Sequence, residues 1–497
     1  MIQITILYTG DIHARVDQFL RLAYIAQLQR YDLNAVGRYV IQVDAGDVED
    51  RALIESDLSK GAAMFQLLKA AGYDVSALGN GAALPYGIQV LENIATTSGL
   101  PLLCANLLTR DPQPVPVPGL LPAIIMQCGP MRVGLTGLTA DFNGAYEQFF
   151  SVSTPDAIET ARAQAQKLRD QGCQLVGVLS HLGYELDVQL AKALPDLNFI
   201  IGGHSHTVLR YPVEVGSVLI CHAGSYAEYL GRLDLTIDDE GQIVKHHGQL
   251  IPIPEDGPQH QPTAQVWQDI QAKTQIKLSE TVGHLSAAVD LAGDRACGMG
   301  QLLADALRAH MSTDVAFCIT GHLFSGLPAG PVTLGDLVRA SRSSANPGAT
   351  RLTGAQIVHA LEHGADPKVW QQTPTALRGA AIGILQVSGL TYRLDHTAPE
   401  GQRVSDVRVL GRPIDPTEVY GVASTDYELL APREYIPGLE FSAVRFDTPW
   451  VVREVLQNYL STFSPLTPGE RPRITIPEGG SNPYVGPVVR PVLPADK

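Results

Sequence analysis

Asp11 and His13 stand two residues apart in Thr9-Gly10-Asp11-Ile12-His13, directly after the apolar run Ile2 to Tyr8. A carboxylate oxygen and an imidazole nitrogen on the rim of a buried strand can hold a divalent metal, although a turn aspartate beside a surface histidine accounts for one such pair as simply. Similar polar punctuation recurs down the chain. Asp44-Ala45-Gly46-Asp47, Gly79-Asn80, Ser180-His181 and Gly202-Gly203-His204-Ser205-His206 each close an apolar run. Asp11, His13, Asp47, Asn80, His181, His204 and His206 together offer seven oxygen and nitrogen donors and no thiolate. Two divalent ions that share a bridging carboxylate and leave a position open for water need about that number. Singly, each residue reads as a loop cap or a hydrogen-bonded core histidine. Gathered at strand ends in glycine-flanked turns, they read as a metal centre.

The elements that must position these groups are apolar runs of strand length alternating with helical patterns, from residue 1 to about 250. Strands are predicted at Ile2 to Tyr8, Tyr39 to Val43, Val75 to Leu78, Leu102 to Ala105, Val133 to Leu138, Leu175 to Leu179, Phe199 to Ile201 and Val218 to His222. Gln18 to Tyr31, Gly61 to Ala71 and Pro155 to Gln171 carry apolar residues at helical spacing. In an open α/β sheet the carboxyl ends of the strands form one crevice, so donors spread over some 200 residues can converge.

The 497 residues exceed one ordinary domain and suggest two or three. Hydrophobic residues are 45 % and charged residues 18 %, and no apolar run approaches the roughly 20 residues that cross a bilayer, which places the chain among soluble globular proteins. A formal charge of −15 speaks against sequence-independent binding to a nucleic acid polymer, which needs a basic face. It leaves an anionic small molecule open, because metal ions reverse the local potential. Cys104, Cys128, Cys173, Cys221, Cys297 and Cys318 show no C-x-x-C spacing and read as buried thiols. Met1 opens directly onto the first strand, so the expected location is cytoplasmic if Met1 is the native start, and otherwise secreted or periplasmic with a signal removed.

The blocks Asp11 to His13, Gly46-Asp47, Gly79-Asn80, His181 and Gly203 to His206 resemble those of the calcineurin-like metallophosphoesterases, and among them the 5′-nucleotidase family of two-domain nucleotide hydrolases. Gly224-Ser225-Tyr226 and Leu230-Gly231-Arg232-Leu233 look like the end of that family's catalytic domain. The helix pattern Cys297 to Arg308, Pro328 to Leu337, Leu352 to Gln356, Leu361 to Gly364 and Leu385 to Gly389 resemble its C-terminal domain. The implied fold is α/β: an N-terminal metallophosphoesterase β-sandwich with flanking helices, then a smaller α+β domain of the 5′-nucleotidase C-terminal type. The expected divisions are 1–250, a linker with a helix over 251–285, 286–475, and a Pro/Gly-rich tail over 476–497. The resemblance further implies two divalent ions of the Zn, Mn, Fe or Co class. Asp47 would bridge them, with Asp11, His13 and His206 on one and Asn80, His181 and His204 on the other.

Two departures qualify the expected activity. The family's GNHEFD block has a catalytic histidine after the Asn and an acid three residues later, and Gly81 and Leu84 stand in those places. The nucleotide pocket also differs, with Ile319-Thr320-Gly321-His322-Leu323-Phe324 putting Phe324 in the place of an arginine, and Ala431 to Tyr435 putting Arg433 in the place of an aspartate. Arg295, Tyr427 and Asn80 remain as candidate substrate contacts. Two functions stay open: a hydrolase in which metal-bound hydroxide attacks a nucleotide or related phosphoester, and a metal-binding pseudoenzyme that holds a ligand without turning it over.

Overall fold

The computed structural model describes residues 1–110, 114–238, 240–373, 381–430, 435–469 and 473–477. The chain divides into two compact units, Met1–Thr274 and Gln275–Lys497.

The first unit holds two sheets where the βαβ rhythm alone suggests one. Seven strands lie in the spatial order Ile243–Pro252, Tyr229–Ile237, Ile2–Thr9, Tyr39–Asp44, Val75–Ala77, Leu102–Leu103 and Leu120–Leu121. Six lie in the order Val213–Val215, Val218–His222, Phe199–Gly202, Leu175–His181, Met131–Thr139 and Ala123–Cys128. In the first sheet the run from Ile2–Thr9 to Leu120–Leu121 is parallel, and in the second the four central strands are parallel. Strand periodicity explains how two sheets stack. Along Ile2–Thr9 the side chains of Ile4, Ile6 and Tyr8 enter a core shared with Val133, Leu135, Leu179 and Ile201 of the second sheet, whereas Leu7 faces a different cluster with Phe19, Phe65 and Leu67. Val176, Val178 and Ile200 likewise turn outward onto Ala161, Leu168 and Leu190. The result is four layers: helices Val16–Ala35, Ala62–Ala70 and Leu91–Ser98, two sheets face to face, then helices Ala157–Asp170 and Tyr184–Ala193.

All eight predicted strands are present, each within three residues of its expected ends. Ile251 and Pro252, read from sequence as the start of a linker, instead finish the edge strand Ile243–Pro252, which pairs along its length with Tyr229–Ile237. An edge position lets a proline keep its missing N–H away from the ladder. The expected linker helix spans Gln261–Leu278, and its Ile270 packs into the helical core of the first unit. All six cysteines are free and buried. Among the described residues no helix is long and apolar enough to cross a membrane.

The second unit is α+β. Its five-stranded sheet runs Leu385–Ser388, Val315–Ile319, Val419–Thr425, Pro347–Thr353, Arg445–Phe446. Helices Gly298–Met311 and Val452–Phe463 share one core with Ala316, Cys318 and Ala423, while Gly354–Gly364 packs on the other face against Val315, Phe317 and Val422. The helices Leu334–Ala340 and Gly354–Gly364 both open on capping boxes, Thr333 with Asp336 and Thr353 with Gln356, which satisfy amides that the first turn leaves without partners. The residues 431–434 that contain Arg433, and the tail beyond residue 477, lie outside the described residues.

Candidate metal centre

The sharp turns after the strands bring the seven predicted donors to one end of the sandwich. Asp11 follows Ile2–Thr9 and donates its N–H to the Gly46 carbonyl at 2.9 Å, while His13 N–H reaches the Asp47 carbonyl at 3.0 Å, so the first two loops are laced together through the backbone. Both carboxylate oxygens of Asp11 accept from the His204 amide, at 3.0 and 2.9 Å, which ties the first sheet's loop to the second's. Asp47 Oδ1 accepts from Gly81 N–H at 2.7 Å. Asn80 begins the short helix Asn80–Tyr86 and directs Oδ1 to within 3.2 Å of His181 Nε2.

Two compact groups of donor atoms result: Asp11, His13 and His206, and Asp11, Asp47 and His181, each within 4.8 Å of one another. His13 Nε2 lies 3.0 Å from His206 Nε2, and these nitrogens lie 3.9 and 3.7 Å from Asp11 Oδ1. His181 Nε2 lies 3.4 Å from Asp47 Oδ2. The His204 ring stands 5.2 Å from that of His181, centroid to centroid. Asp11 is common to both groups.

The local backbone is unusual in the same places. Asp11, His13, Asp47, His204 and His206 all have positive φ, 54°, 47°, 53°, 73° and 52°. This left-handed region is uncommon for residues with a side chain, although Asp and His visit it more readily than most. Strain of this kind concentrates at functional sites, where the surrounding structure enforces it. Close approach requires Gly79: a β-carbon there would fall 2.0 Å from Asp47 Oδ1.

The donor chemistry fits divalent metal. His181 is fully buried, and its Nδ1 lies 2.8 Å from the Ala45 carbonyl, which accepts the Nδ1 proton and leaves Nε2 facing Asn80 and Asp47. Such a carbonyl anchor fixes the tautomer and ring angle of a metal-binding histidine. Charged and titratable groups crowd together here. Burial raises the Asp11 carboxyl to about 7. Burial would push Asp47 up as well, but the His181 charge and hydrogen bond, the Gly81 amide and His13 hold it at about 2. For His181, burial works downward and is overcome by Asp47, Asp11 and the Ala45 carbonyl, which raise it to about 9. Burial lowers His204 and His206.

A supporting shell escaped the sequence reading. Asp187, on helix Tyr184–Ala193, bonds His222 Nε2 at 2.8 Å and also accepts from Ser180, the residue before His181. All three are buried. In sequence Ser180 and His222 each close an apolar run, whereas Asp187 carries no such signal. Glu49, two residues after Asp47, was also passed over, because a carboxylate in such a loop resembles an ordinary surface charge; it is 1 % exposed.

At the dyad positions, Gly81 offers only its amide, and Leu84 packs against the apolar cluster under the helices. In the second unit, Arg295 is half exposed and pairs with Asp290 at 2.9 Å. Tyr427, on the turn Asp426–Leu429, meets the ring of His322 edge-on at 6.0 Å, and Phe324 packs against the same core. Buried His322 is held at both nitrogens, Nδ1 2.9 Å from Ser343 Oγ and Nε2 3.0 Å from Glu428 Oε1.

Comparison with known proteins agrees with this architecture. Residues 280–435 match the family model described as 5′-nucleotidase, C-terminal domain. The uncharacterized metallophosphoesterase YunD of Bacillus subtilis is 25 % identical over 84 % of this chain and 91 % of that protein. A snake venom 5′-nucleotidase from Crotalus adamanteus is 26 % identical over 86 % of this chain and 80 % of its own. The solved NAD nucleotidase of Haemophilus influenzae superposes with a TM-score of 0.60 over 96 % of this chain and 99 % of that one, at 17 % identity. In its family model, its relatives and its fold, the chain resembles the two-domain 5′-nucleotidases of the calcineurin-like metallophosphoesterase fold.

Proposed function

We propose that the protein is a metal-dependent phosphoester hydrolase acting on a nucleotide or a related small phosphoester. The observation that carries this reading is the meeting of Asp11, His13 and His206, and of Asp11, Asp47 and His181, as two adjoining groups of donor atoms from loops of both sheets. In this reading Asp11, His13 and His206 would hold one divalent ion and Asn80, His181 and His204 a second, with Asp47 available to both. Asp11 belongs to both donor groups and would be available to either ion. Two such ions supply Lewis-acid activation of water and neutralise phosphoryl charge.

The protein's own groups do the rest. Asp11 and Asp47 gather the cations, the Ala45 carbonyl and the Asp187–His222–Ser180 set keep His181 in register, and Asn80 meets the phosphoester from the first turn of its helix. Arg295 and Tyr427 are proposed as substrate contacts of the second unit, one for charge and one for stacking on a base. No side chain projects from position 81 to assist a departing oxygen, so good leaving groups should suffer least.

The test is turnover of nitrophenyl phosphate and of AMP by protein loaded with Mn²⁺ or Zn²⁺, alongside metal analysis. Nitrophenyl phosphate should be hydrolysed far more efficiently than AMP. Equal efficiency would refute the weight placed on position 81. Two bound ions with no hydrolysis of any phosphoester would favour a ligand-binding pseudoenzyme, the reading that the absent dyad supports.

A further inference from the structure

Glu49 has no task in the site as described, yet its placement is specific. It is 1 % exposed, and neither carboxylate oxygen has a hydrogen-bond partner among the described residues. Its stem rests against the turn at Gly61, where a β-carbon would lie 3.4 Å from Glu49 Cγ. The neighbouring guanidinium of Arg51 gives its Nε–H to Asp57 at 3.1 Å and lies over the Tyr86 ring at 4.7 Å, and its buried Nη2 makes no hydrogen bond to Glu49. A β-carbon at Gly81 would fall 2.8 Å from Glu49 Oε1 and 3.2 Å from Asp47 Oδ1. The two carboxylates therefore flank one point, the point from which a side chain at 81 would project. A buried carboxylate without donors is costly unless a cation faces it.

We propose that Glu49 is a further anionic member of the metal site, its carboxylate filling the space of the absent side chain at position 81 and balanced by the divalent ion that Asp47 and His181 face. Glu49 belongs to neither compact donor group, so it would act on the ion through its charge. The inference rests on the metal-site part of the function proposed above. Position 81 has no side chain at the point that the Glu49 carboxylate approaches.

The experiment is calorimetric titration of the metal-stripped full chain with Mn²⁺ at fixed pH, with thermal unfolding of the metal-free forms. Glu49→Gln keeps the shape and removes the charge. It should weaken Mn²⁺ binding about tenfold or more, as removal of outer-shell partners does, while the metal-free variant melts no lower than wild type. Glu49→Asp, which keeps the charge with a shorter reach, should fall between the two, and serves if the Gln variant folds poorly. Asp50→Asn, the adjacent acid whose Oδ1 accepts from Ala52 N–H, should bind as wild type does. Unchanged affinity in Glu49→Gln, or an equal loss in Asp50→Asn, overturns the proposal. Wild-type protein that binds no Mn²⁺ overturns the metal reading as well, whereas wild-type binding with an unaltered Glu49→Gln overturns this inference alone.

Discussion

Rebuilding the dyad tests the reading of position 81 most directly. Gly81→His with Leu84→Asp restores the two residue types that the resembling family carries at these places. General acid–base assistance is worth about 10² to 10⁴ in rate, or about 3 to 5 kcal/mol of barrier. The structure predicts that the double substitution alone delivers little of this. Even the β-carbon of residue 81 lies 2.8 Å from Glu49 Oε1, so a histidine must first displace that carboxylate within a packed site. Overpacking of this kind costs about 1 to 3 kcal/mol of folding stability, and an imidazole that shifts to avoid the carboxylate leaves the position that proton transfer needs. Leu84→Asp adds a loss of apolar contact with the helical cluster, on the order of 1 kcal/mol for a half-buried side chain. Glu49→Ala opens the space. The triple variant Glu49→Ala, Gly81→His, Leu84→Asp, assayed for phosphate release from AMP at saturating Mn²⁺, should therefore exceed both wild type and the double variant by at least tenfold. A triple variant that folds, binds metal and hydrolyses AMP no faster than wild type would refute the reasoning.

Gly202→Ala should destabilise the first unit by about 1 to 3 kcal/mol in thermal unfolding, because its β-carbon would fall 2.1 Å from His222 Nε2 and 2.2 Å from Asp187 Oδ2. Asp187→Ala leaves His222 buried and without its carboxylate and should cost about 3 to 5 kcal/mol, with weaker metal binding through the freed Ser180–His181 segment. His181 is raised to about 9 in the metal-free chain and must shed its proton to offer Nε2, so Mn²⁺ affinity should climb about tenfold per pH unit from 7 to 8.5. Metal-free stability should move oppositely: the raised pKa adds stability that is full below 6.5 and fades as pH rises through about 9. Melting curves with and without Mn²⁺ at several pH values would expose any failure of these opposed signs.

The strands of the first unit were legible because parallel strands buried on both faces read as unbroken apolar runs, as Leu175 to Leu179 does. That legibility hides sheet membership. Leu102–Leu103 and Met131–Thr139 look alike in sequence yet belong to different sheets, and only the register of their neighbours assigns them. The hairpin Tyr229–Ile237 and Ile243–Pro252 carries a half-buried alternation, and its final Ile-Pro passed for a connector. The donor residues were readable from glycine-flanked strand ends. The groups that orient them were not, since the Ala45 carbonyl has no residue-type signal and Asp187 reaches the site from a helix more than a hundred residues away from Asp47.

The hydrogen bonds from His204 to Asp11 connect one sheet's loop to the other's, and the donor groups draw on both. An ion held there would act as a clasp across the sandwich, since the sheets could not slide apart without giving up ligands. Its release would then be a kinetic event: chelator-stripped protein should open and expose amides on the inner faces of both sheets in concert, whereas loaded protein would exchange them only as fast as the ion departs.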